Sequence, residues 1–131
     1  MIVDTSAIIA VLLDEPERDR LIDAMLDAER VDMSTATYLE CAVVADSRAK
    51  PATRAKFDQI LEELEVTTVP FTAEHASIAR EAYRQYGRGS GHPAGLNLGD
   101  CFSYALSAHS KQPLLFKGDD FSNTDITPQA Y

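Results

Sequence analysis

Apolar positions along this chain come in two forms, short unbroken runs and stripes spaced three or four apart, and the two forms alternate. Ile2-Val3, Val31 to Met33, Val66 to Val69 and Leu114 to Phe116 are the short runs, of a length suited to buried strands. The stripes between them predict helices. Asp4-Thr5-Ser6 supplies cap residues before the run Ala7 to Leu13, and Pro16 opens a helix carrying Leu21, Ile22, Met25 and Leu26. Ser34, Thr35 and Thr37 can cap a helix through Leu39, Val43 and Val44, and Pro51 opens another with Phe57, Ile60, Leu61 and Leu64 on one side. Thr72 caps a helix reaching Tyr86, and the last spans Leu98 to Ser110 with Phe102, Ala105 and Leu106 turned inward. Successive strands separated by helices of roughly ten residues or more need crossover connections. The expected fold is therefore α/β: a three-layer single domain over residues 1–131, with a twisted, mostly parallel sheet flanked by helices.

Composition agrees with a folded chain. Of 131 residues 45% are hydrophobic and 25% charged, with six Gly and six Pro, which excludes a disordered tail or linker. Gly87 to Gly95 lacks the GK[ST] ending of a phosphate-binding loop and reads as a flexible connection over a site. Cys41 and Cys101 form no CxxC pair and have no histidine at zinc spacing, so a disulfide framework and a zinc site are both unsupported. The apolar stretch from Ile2 to Leu13 contains Asp4 and stops at Asp14, too short and too polar for export or spanning; a cytoplasmic protein without a membrane segment is expected.

Twelve Lys and Arg stand against 21 Asp and Glu, a formal charge of −9, so the field of the whole molecule repels polyanions. A generic nucleic-acid coat is excluded. An enzyme acting on nucleic acid is not, because bound divalent cations or a local basic stripe reverse the field where a substrate sits. Arg80, Arg84 and Arg88 recur every four residues toward the end of one helix, and Arg84 and Arg88 are the candidates for holding phosphates; a solvated helical face is the alternative.

The acids carry the chemistry. In an open parallel sheet, ligands collect beyond the carboxyl ends of strands, where Asp4 and the pair Asp119-Asp120 fall. Asp4 also suits a helix N-cap, and the two roles can coexist. Glu40 shares its helical face with Ala36, Thr37, Val43 and Val44, an apolar setting in which a carboxylate needs a partner. Asp100 follows Asn97 and Gly99 at a helix start, and Lys117-Gly118-Asp119-Asp120 has turn composition. Brought into one crevice, such carboxylates raise one another's pKa and must take up protons or cations. Mg²⁺, or Mn²⁺ in its place, suits their hard oxygens, and a metal-dependent reaction on a phosphate follows.

Four segments in order, Met1-Ile2-Val3-Asp4-Thr5-Ser6-Ala7, Ser34 through Glu40, Asn97-Leu98-Gly99-Asp100 and Leu114 through Phe121 followed by Thr124-Asp125-Ile126, make the chain resemble PIN-domain ribonucleases, specifically the VapC toxins of VapBC toxin-antitoxin pairs. The resemblance covers essentially the whole chain. It implies that Asp4, Glu40 and Asp100 are metal-site acids and that Ser6 orients the first of them. Gly118 stands where many PIN domains carry a fourth acid, so that role passes to Asp119 or Asp120. It further implies a homodimeric endoribonuclease that cuts structured RNA, tRNA or rRNA, and is neutralised by a cognate VapB antitoxin.

Two other readings use the same acids. A receiver-like Mg²⁺-binding signalling domain without nuclease activity would need an adjacent acidic pair after the first strand and a phosphoacceptor Asp after the third, where Pro70-Phe71 stands instead. A haloacid-dehalogenase-like phosphatase would need a second Asp two positions beyond Asp4, where Ser6 stands.

Overall fold

The computed structural model describes residues 1–47 and 51–131. Among these residues four strands, β1 (Ile2–Val3), β2 (Asp32–Ser34), β3 (Thr67–Val69) and β4 (Leu114–Leu115), form one sheet in the order β3-β2-β1-β4, with these pairings parallel. Six helices among the described residues supply the crossovers: α1 (Thr5–Leu12), α2 (Arg18–Leu26), α3 (Thr35–Ser47), α4 (Pro51–Glu63), α5 (Ala73–Tyr86) and α6 (Leu98–Ser110).

Strands β1, β2 and β4 are buried and β3 lies largely exposed at the sheet edge, and alternation within two residues is enough to build two cores. Val3 and Leu115 join the core under α1 to α4, whereas Ile2 and Leu114, their chain neighbours, join the core under α5 and α6. The expected three-layer α/β architecture is what forms. Since all strands run one way, their carboxyl ends share an edge, and β1, β3 and β4 lead there into Asp4, Pro70 and Phe116.

Helix starts are well specified. Thr72 caps α5 and Asn97 caps α6, each in a reciprocal arrangement with the residue three places on, His75 and Asp100. Helix α1 begins at Thr5 rather than Ala7, because the Asp4 side chain accepts from Ser6 N and so starts the helix early. Helix α2 starts at Arg18, two residues beyond Pro16.

One inward assignment is corrected. Phe102 is only half-buried: it packs edge-on against Phe71, with ring centroids 5.2 Å apart, while Ala105 and Leu106 are buried as expected. On α3 the buried residues are Thr37, Cys41 and Ala45, and Leu39 and Val43 are 62% and 58% exposed. That helix is apolar nearly all round, so hydrophobic spacing could not say which face the sheet would take. The segment Gly87 to Gly95, read as flexible, is tied back instead: Gly87 bridges to Leu96, Arg88 N donates to Leu96 O, and His92 stacks on Tyr86.

Candidate active site

Asp4 lies at the carboxyl end of β1, 3% exposed, with both carboxylate oxygens engaged. Ser6 donates twice to Oδ2, from its backbone N at 2.9 Å and its Oγ at 2.7 Å. Ser103 Oγ, from α6, donates to Oδ1 at 2.6 Å. Ser6 Oγ in turn accepts from Lys117 N at 3.0 Å, which ties the end of β4 to the same corner. Asp4 is thus an N-cap and a member of a polar cluster at once.

Asp100 sits at the third position of α6, where its Oδ2 accepts from Asn97 N at 2.7 Å. Its pKa is raised to about 7, first by burial and then by the charges of Asp4, Asp120 and Glu40, against the opposing hydrogen bond from Asn97. Glu40 is half-buried on α3 and accepts from Thr5 Oγ1 at 2.9 Å. Burial raises its pKa and the charge of Asp4 adds to this, while the Thr5 hydrogen bond works against both.

Gly99 explains how α3 and α6 come so close. A Cβ at Gly99 would lie 2.1 Å from Glu40 Oε1, so only glycine leaves room for the glutamate beside the start of α6. Among the described residues, Asp4, Glu40, Asp100 and Asp120 take part in no ion pair with Lys, Arg or His.

The turn after β4 divides its two aspartates. Asp120 is exposed yet its charge reaches Asp100. Asp119 is also exposed, and its backbone carbonyl accepts from Ser122 N. Lys117, before the turn, points away from the acids and pairs with Glu15 and Glu17. Gly118 takes φ +99°, a conformation that a residue bearing a side chain would adopt only under strain.

Arg84 pairs with Glu81 at 3.2 Å, and with Arg80 it flanks an apolar groove of about 360 Å³ lined by Phe71, Tyr83, Leu98 and Phe102. Arg88 is exposed beyond the end of α5. Cys41 and Cys101 are fully buried behind Glu40 and Asp100, and burial pushes both thiols up, Cys101 to about 11. Sequence reasoning missed Thr5, Thr37 and Ser103. Hydroxyls at helical positions carry no signal of what they will meet across the fold.

Chemically the site offers four carboxylates and no neutralising side chain among the described residues. Hard oxygen donors of this kind suit a divalent cation, whose charge would offset the burial and the neighbouring negative charges that raise the pKa of Asp100. No three Asp, Glu, His or Cys side chains among the described residues already surround one point. Asp4, Asp100 and Glu40 are held by protein donors instead, so joint ligation calls for rotation of the half-buried Glu40 and the exposed Asp120, the two least restrained.

Residues 1–126 match the PIN domain family, and the chain belongs to it. Ribonuclease VapC28 of Mycobacterium tuberculosis is 50% identical over 126 residues, covering 96% of this chain and 95% of its own. At that identity over almost the full length, the chain stands among the VapC ribonucleases. Two solved structures share the fold at low identity. M. tuberculosis VapC20, described as a Sarcin-Ricin loop cleaving toxin, has a TM-score of 0.72 at 17% identity and covers 96% of this chain and 95% of its own. VapBC2 from Rickettsia felis, bound to a DNA fragment from its promoter, has 0.75 at 12%, covering 97% and 94%. Membership of this family sets aside the receiver-like and phosphatase readings.

Proposed function

We propose that the chain is the ribonuclease toxin of a VapBC-type pair, an endoribonuclease that uses Mg²⁺, or Mn²⁺ in its place, to cut structured RNA such as tRNA or rRNA. The observation that supports this reading is that Asp4, Glu40 and Asp120, from separate segments of the chain, lie close enough for their charges to act on the buried Asp100, with Glu40 against Gly99 beside it and no neutralising cation among the described residues. A divalent ion held there by these acids would supply a Lewis acid for the phosphate and would lower the pKa of a water toward neutrality.

The chain's own residues do the rest. Asp4, Asp100 and Glu40 are the proposed ligands and Asp120, rather than Asp119, the fourth acid; Ser6 fixes Asp4 by its two donated hydrogen bonds. Arg84 and Arg88 lie on the end of α5 and beyond it, where they can hold RNA phosphates flanking the cut.

A cognate VapB-type antitoxin is the proposed inhibitor and a second copy of the chain the proposed partner in a homodimer. Two buried free thiols and an RNA substrate suit the cytoplasm; no helix among the described residues is long and apolar enough to cross a membrane. Incubating the purified protein with total RNA, with Mn²⁺ or with a chelator, tests the core of the reading. Discrete cleavage products that need the cation support it, and identical products in the chelator overturn it. Co-expression with the neighbouring small gene rescues growth if that gene encodes the antitoxin, and light scattering reports the dimer.

A further inference from the structure

Helix α6 carries three serines whose hydroxyls are satisfied differently. Ser110 Oγ donates to Leu106 O one turn back, and Ser107 Oγ to Gln112 O just past the helix end. The first is the bond a helical serine ordinarily makes, and the second closes the helix end; both stay within five residues. Ser103 makes neither. Its Oγ crosses to Asp4 Oδ1 at 2.6 Å, and Thr37 Oγ1 stands 3.1 Å from Ser103 Oγ. Ser103 and Thr37 are fully buried. Since the single Ser103 proton is committed to Asp4, the Thr37 hydroxyl donates to Ser103, and a directed chain runs from α3 through α6 to the end of β1.

We propose that Thr37 and Ser103 are positioning residues for the nuclease site, a buried hydroxyl relay that fixes the rotation of the Asp4 carboxylate and so its readiness to take a divalent cation. Ser6 holds only Oδ2, from the helix that follows Asp4 itself. A carboxylate pinned at one oxygen still swings about that point; the second pin comes from an element 99 residues away and ties Asp4 to the helix that bears Asp100. The relay therefore keeps two of the proposed ligands in fixed relation, as partners of metal ligands do elsewhere. This inference rests on the nuclease reading of the site.

The test pairs a missing hydroxyl with a missing methyl. Ser103→Ala should weaken Mn²⁺ binding, measured by calorimetry without RNA, and slow single-turnover RNA cleavage, each by about tenfold, the lower end of what outer partners of metal ligands contribute. Affinity for RNA in the presence of Ca²⁺ should not change. Thr37→Val keeps the shape and loses the hydroxyl, and should weaken Mn²⁺ binding by roughly threefold through loss of hydrogen-bond cooperativity. Thr37→Ser keeps the hydroxyl and should bind Mn²⁺ as the parent does. Ser103→Ala with parental Mn²⁺ affinity and cleavage overturns the proposal, and so does Thr37→Ser failing where Thr37→Val succeeds, which would mark a packing role. If Ser103→Ala does not fold, the Thr37 pair decides. A parent protein that binds no Mn²⁺ and cuts no RNA overturns the nuclease reading itself, which the variants alone cannot do.

Discussion

Asp4 and Asp32 are both buried aspartates on neighbouring strands, at opposite ends of the sheet, and their surroundings could hardly differ more. Asp32 opens β2, is 6% exposed, and has Arg30 Nε 2.6 Å from its carboxylate. The N-terminal ammonium of Met1 donates to Arg30 O beside it, and the charge of Asp32 acts on that ammonium. Asp4, beyond the end of β1, has three neutral donors, no ion pair among the described residues, and acids for neighbours. A buried carboxylate with its own cation is finished structure. One gathered with other carboxylates is work left for a ligand.

The largest effect should separate these two residues. Asp4→Asn should lower RNA cleavage by about a thousandfold, the scale of several kcal/mol of metal-borne stabilisation, with an unchanged circular dichroism spectrum. Asp32→Asn should leave cleavage within about twofold and cost roughly 1 kcal/mol in urea unfolding, the usual range for a half-exposed ion pair. The reverse pattern would break the distinction.

Gly99→Ala comes next. The added methyl meets the far end of Glu40 rather than backbone, so Glu40 should swing away while the fold stays. Cleavage and Mn²⁺ affinity should fall by about tenfold to a hundredfold with little change in melting temperature; a large loss of stability would count against this account.

The pH dependence follows from Asp100. With its folded pKa at about 7 and its ordinary value at 3.8, the folded state keeps a proton that the unfolded chain has lost. Its contribution to stability is thus complete below the ordinary value and disappears as pH rises to about 7, so the metal-free protein should be easier to unfold at pH 8 than at pH 5 on this account. Protons and cations compete for the same oxygen, so Mn²⁺ affinity should fall by about tenfold for each unit of pH below 7. Calorimetry at pH 6, 7 and 8 measures this.

At the turn after β4, Asp120→Asn should slow cleavage by about tenfold and Asp119→Asn by less than about twofold, since only the former carboxylate acts on Asp100. Equal effects would place both at the site. The smallest change is expected of Arg84→Ala or Arg88→Ala, which should each reduce the salt slope of RNA binding by about one.

Much of this was legible in the chain. The strand-helix alternation sets a parallel sheet, Asp4 and the acids after β4 stand where such a sheet gathers ligands, and Asp100 stands at a helix start. Less legible was α3, whose apolar residues on every side let Thr37 and Cys41 turn inward and Leu39 and Val43 outward. Phe102 deceived for a related reason: an aromatic at a helical spacing reads as core, yet α5 leaves it at the rim of a groove with Phe71.

Taken alone, the sequence determined the order of elements, the helix caps at Asp4 and Thr72, and the acids that could share a crevice, because each of these depends on residues within one turn or one strand of each other. Which hydroxyls hold Asp4, why residue 99 must lack a side chain, and which aspartate of the pair acts on Asp100 were decided only by tertiary structure. Those relations join residues as much as 99 positions apart, and the distance between such partners is set by how α3 and α6 pack across the sheet, a quantity that no local pattern encodes.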